Sequence, residues 1–76
     1  MIVIVETAPG AGKNFAFTVR KNNIDTTMSG LISGTGTFLV NYNSFTFNPT
    51  DSISLKVFTD AGANASRMRF VLKIGL

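Results

Sequence analysis

The chain has no cysteine, no histidine and no tryptophan, and only 14% of its 76 residues are charged. Each gap closes off a class of protein. Without cysteine there is no disulfide framework, and without cysteine or histidine the usual zinc and haem ligands are missing. No metal and no cofactor is expected. The same absences remove the thiol nucleophile and the commonest general base. Acids are scarce as well, the only carboxylate side chains being Glu6, Asp25, Asp51 and Asp60. Asp51 and Asp60 flank one expected strand, roughly 30 Å apart at about 3.3 Å per residue, which is too far for an acid/base pair. Asp25 after a turn and Asp51 before a strand are common structural places for Asp. The expectation is a protein that is not an enzyme.

Long apolar runs are missing too. The opening Met1, Ile2, Val3, Ile4 and Val5 lack a basic flank and end at Glu6, too short for a signal peptide or a membrane anchor. No membrane partner is expected. Nor does any window place apolar residues at helical spacing. The longest candidate, residues 61–67, is interrupted by Gly62 and Asn64.

What the chain does have is apolar content, 45% of its residues. A domain this small buries only about 60% of its unfolded surface. Such scaffolds usually rely on disulfides, a metal or a partner subunit. With the first two gone, some surface is expected to be covered by another subunit. The net charge is +3, carried by Lys13, Arg20, Lys21, Lys56, Arg67, Arg69 and Lys73. These are scattered, which makes nucleic acid a minor partner reading. Arg67, Arg69 and Lys73 form the one expected basic surface row, along a single strand face.

Gly10-Ala11-Gly12-Lys13 looks like the start of a phosphate loop and fails as one. The first Gly of that motif would fall on Thr7 and the Mg²⁺-binding hydroxyl on Asn14. The residues that follow, Phe15 to Arg20, alternate with a period of two and not of 3.6. The segment reads as a turn before a strand. Period two recurs in about seven short stretches parted by Gly, Pro and Asn, at roughly ten-residue spacing. The expected fold is a single all-β domain over residues 1–76, an antiparallel β-sandwich or jelly-roll-like barrel. Phe15, Phe17, Phe45, Phe47 and Phe70 fall on inward positions. Phe58 falls on the polar face of its strand. With the non-alternating Met1, Ile2, Val3, Ile4 and Val5, it is a candidate subunit interface. If residues 1–5 form an edge strand, they add to a neighbour's sheet through backbone hydrogen bonds. Deleting them would then abolish assembly more than folding.

The order Pro9-Gly10, Gly12-Lys13, Phe17-Thr18-Val19-Arg20-Lys21-Asn22, Asp25-Thr26, Ile32-Ser33-Gly34 and Asp51, then Ile53-Ser54-Leu55-Lys56-Val57, resembles a small β-sandwich domain of tailed-bacteriophage virion proteins. One position departs from that pattern: Asn23 stands where the hairpin usually has Gly. The resemblance implies a non-enzymatic virion component, first a capsid decoration (cement) protein that braces the major capsid protein. A tail-fibre, spike or other appendage component is the alternative, and a small nucleic-acid-binding β-barrel the second. It also implies sister copies, with a trimer expected.

Overall fold

Where the alternation is strongest, the chain is strand. The computed structural model describes residues 1–42 and 44–72. Its strands are β1 (Ile2–Val5), β2 (Gly10–Lys21), β3 (Ile24–Gly34), β4 (Phe38–Val40), β5 (Ile53–Thr59) and β6 (Met68–Val71). They form two three-stranded antiparallel sheets, ordered β4-β1-β6 and β3-β2-β5. No helix occurs among the described residues.

Alternate side chains of each strand point to opposite faces, and the inward sets of both sheets meet in one core. Met1, Val3 and Val5 from the first sheet are buried with Phe15, Phe17, Val19, Met28 and Ile32 from the second. Each large side chain removed from water contributes about 1.5–3 kcal/mol. Leu39, Phe45, Ile53, Leu55, Met68 and Leu72 close the margins. Phe70 pairs with Val3 and so shares its face, but it lies on an edge strand and stays partly exposed. Val57, opposite Phe17 on β5, does the same.

The β2–β3 hairpin turns on Asn22 and Asn23, whose φ angles of 52° and 64° are both positive. Two left-handed residues in a two-residue loop define a type I′ turn, whose twist matches that of the strands. Asn at the second position therefore keeps the turn that Gly would make. Beyond it the pairing shifts between Thr18 and Arg20. There the Thr26 hydroxyl donates to Val19 O at 2.7 Å and accepts from Met28 N at 3.2 Å, occupying backbone groups around the bulge.

Several expectations are corrected. Residues 10–13 are not a turn but the irregular start of β2, with a register shift between Gly10 and Asn14 and positive φ at Gly10 and Gly12. The second irregularity of this hairpin lies near Thr26, while Gly30 pairs in register with Phe17. Among the described residues six strands are present where about seven were expected, because residues 44–48 make no ladder. Phe45 and Phe47 do share a face, with ring centroids 6.3 Å apart. Their segment ends in a closed turn in which Asp51 N donates to Asn48 O at 2.9 Å and Asn48 N donates to Asp51 Oδ2 at 2.6 Å.

Candidate functional site

The most informative surfaces are the outer faces of the two sheets. In β1 the absence of polar alternation conceals an ordinary strand: Met1, Val3 and Val5 point into the core, while Ile2 and Ile4 point out. The whole run is therefore not an interface, and only its even-numbered members are available to a partner. Nor is β1 an edge. It pairs with β4 on one side and β6 on the other, so its backbone has no free side on which to extend a neighbour's sheet.

Register aligns the outward residues into rows. Ile2 stands between Val40 and Val71, and Ile4 between Phe38 and Arg69. Phe38 is 67% exposed and Ile4 50%. On the other sheet Ala16 stands between Leu31 and Phe58, and Phe58 is 62% exposed, as its place on the polar face implied. Leu31 and Phe38 escaped the sequence reading. Leu31 carried a signal, since it shares the outward parity of Ser29 and Ser33. Phe38 carried none, because a three-residue strand is too short to show alternation.

The charges are largely spoken for. Asp25 lies between Lys56 and Arg20, with Lys56 Nζ at 2.8 Å and Arg20 Nε at 3.0 Å. The hydrogen bond from Lys56 holds the Asp25 carboxyl below its ordinary 3.8; partial desolvation opposes this, and the charges of Lys56 and Arg20 add to it. Asp51 is also held below 3.8, first by the backbone N–H of Asn48 and then by the Asn22 side-chain amide. Lys21 Nζ sits 3.5 Å from the same carboxylate. Asp60 accepts from both the backbone and the side chain of Asn14, at 2.8 and 3.0 Å. Of the expected basic row, Arg67 lies 4.0 Å from Glu6 and Arg69 is on the outer face opposite Ile4. Lys73 lies outside the described residues. These two arginines border an open hollow with Ile4, Glu6 and Met68.

No protein-family model, curated protein or solved structure matches the chain.

Proposed function

We propose that the chain is a non-enzymatic structural protein of a tailed-phage virion, and within that class a capsid decoration protein. One observation carries this reading: exposed apolar rows stand on the faces turned away from the shared core, two on the β4-β1-β6 sheet and one, Leu31–Ala16–Phe58, set between polar rows on the β3-β2-β5 sheet. An antiparallel sheet with one free face ordinarily makes that face polar, and a contiguous exposed apolar patch usually marks a contact surface. Here two such faces look in opposite directions. A small domain that can be covered on both sides is suited to bridging neighbours, as a cement protein bridges capsid subunits. The finer assignment of the two sheets to the sandwich of phage virion domains belongs to the same proposal.

The nucleic-acid reading has less support. Arg20 and Lys56 converge on Asp25, and Lys21 on Asp51. That leaves little unbroken positive surface to neutralise a phosphate backbone.

The test is to purify particles of the phage whose genome encodes the chain, separate shells from tails, and measure its copy number in each. Abundance in the shell fraction supports decoration, abundance in tails moves the protein to an appendage, and absence from both ends the virion reading. Purified chain should also rebind shells that lack it, and Leu31→Asp or Phe58→Asp should abolish that rebinding.

A further inference from the structure

We propose that the outer face of the β4-β1-β6 sheet is closed by a second copy of this chain, with each Arg69 seated over the partner's Phe38. The proposal specifies the self-association expected under the virion reading, yet it needs only the face itself.

Arg69 is the one charged side chain in the two outward rows of this sheet. Its row is Phe38, Ile4, Arg69, and the next is Val40, Ile2, Val71. Among the described residues the Arg69 side chain has no ion pair, while Arg20 and Arg67 each stand near a carboxylate. Covering this face with a purely aliphatic surface would strand a cation against hydrocarbon, which is costly. The occupant must therefore offer Arg69 an acceptor or an aromatic face. The chain carries such a ring itself, in the same row and on the opposite flank of Ile4.

Symmetry decides the arrangement. A face that meets itself makes an isologous contact about a twofold axis. With that axis along β1, rows stay in register while their flanks exchange. Arg69 then comes over the partner's Phe38, Val71 over the partner's Val40, and Ile2 and Ile4 meet their own counterparts. Sheets packed face to face keep their strands within about 30° of each other, which this axis allows. A twofold running across the strands would instead set Arg69 on the partner's Val71 and waste the ring. The Glu6–Arg67 pair at the end of the face is neutral within each copy. This contact makes a dimer, where the resemblance implied a trimer.

The face is small. Three strands about 4.8 Å apart and four residues at about 3.3 Å span roughly 15 × 13 Å, well short of the ~800 Å² per partner of a standard interface. The dimer is thus weak and concentration-dependent, and two cation–π contacts form a substantial share of what holds it.

Sedimentation equilibrium of the full chain across micromolar to millimolar concentration is the test, with circular dichroism to confirm folding. The wild type should pass from monomer to dimer. Phe38→Leu and Arg69→Met, which keep apolar bulk on two different strands, should each weaken it roughly tenfold. Phe38→Lys should abolish the dimer by setting cation against cation, while Phe38→Glu should retain it, because Arg69 then meets a carboxylate. Adding Arg69→Glu to Phe38→Lys should restore it. A monomer at every concentration, a trimer, or equal effects of Phe38→Lys and Phe38→Glu would overturn the proposal. None of these results would touch shell binding through Leu31 and Phe58, so the two readings fail separately.

Discussion

Leu39 fills the space that Gly30 leaves open: a Cβ at position 30 would lie 2.7 Å from Leu39 Cδ1 and 2.9 Å from Cδ2. The contact joins the two sheets, since Gly30 belongs to β3 and Leu39 to β4. Gly30 pairs with Phe17, so the notch beside that large ring is what Leu39 enters. Alternating large and small residues in this way lets facing layers interdigitate at native density.

Widening Gly30 should therefore press the sheets apart at this margin. Gly30→Val is expected to cost about 2 kcal/mol, within the usual range for overpacking. Gly30→Ala should cost less, because Ala recovers about 0.5–1 kcal/mol of backbone entropy in a strand and the Leu39 methyls can rotate away. Adding Leu39→Ala should return part of the Gly30→Val loss. Urea unfolding of the four chains reads this directly, and a Gly30→Val variant as stable as the wild type would show that the notch is not tight.

The central position of β1 reverses the expected outcome of removing residues 1–5. Deletion takes away three core side chains, Met1, Val3 and Val5, together with the strand that both β4 and β6 pair against. The truncated chain should be unfolded by circular dichroism, and not merely unable to assemble. Point changes separate the two faces: Val3→Ala should cost about 2–3 kcal/mol as a fully buried truncation, and Ile4→Ala less than about 1 kcal/mol. Similar losses at both positions would mean that the outer face is already packed in the isolated chain.

The strands were legible in the sequence where one face was apolar and the other polar. Phe15, Phe17 and Val19 against Thr18 and Arg20 left only one reading. Legibility failed where both faces were apolar, as in β1, because hydrophobicity then no longer tells core from surface. It failed again where ladder pairing, not pattern, decides: Phe45 and Phe47 alternate like strand residues but meet no partner strand. The candidate site was half visible. Phe58 could be marked from parity, whereas Ile2 and Ile4 were marked only together with the buried Met1, Val3 and Val5. The assembly of Phe58, Ile2 and Ile4 into rows with Phe38, Arg69 and Leu31 depends on register between strands distant in sequence, which no local pattern encodes.

Acid should weaken the fold through two carboxylates. Asp25 and Asp51 are both held below their ordinary value of 3.8 in the folded chain. A carboxylate with a depressed folded pKa contributes its stability above the unfolded value and loses it as pH falls through the folded one. Thermal stability should thus be flat from pH 7 to about 5 and decline progressively below about 4. Asp51→Asn should lower stability at pH 7 and flatten the acid decline, since that carboxylate anchors Asn48 and Asn22. Raised salt should matter more at Asp25, where an exposed Lys56 ion pair is screened. Melting curves that rise on acidification would contradict the assignment of both groups.

The Asn22–Asn23 turn ties the hairpin to the start of β5, so its two residues should respond in opposite directions. Asn23 contributes mainly its conformation, φ 64°, which Gly adopts without a Cβ penalty. Asn23→Gly is expected to leave stability unchanged or raise it by up to about 1 kcal/mol, because the type I′ turn favours Gly there. Asn22 does more. Its side chain accepts from Ser52 N at 2.9 Å and donates to Asp51 Oδ1 at 2.8 Å, and its backbone N–H donates to Ser52 O at 2.9 Å. Asn22→Ala keeps only the last of these and forces Ala into a left-handed conformation, so a loss of about 1–3 kcal/mol is expected. Asn22→Gly removes the same side-chain bonds without the conformational penalty and should fall between the two. Denaturant midpoints for the three variants test that order. A loss in Asn22→Gly equal to that in Asn22→Ala would assign the whole effect to the link with β5 and none to the turn.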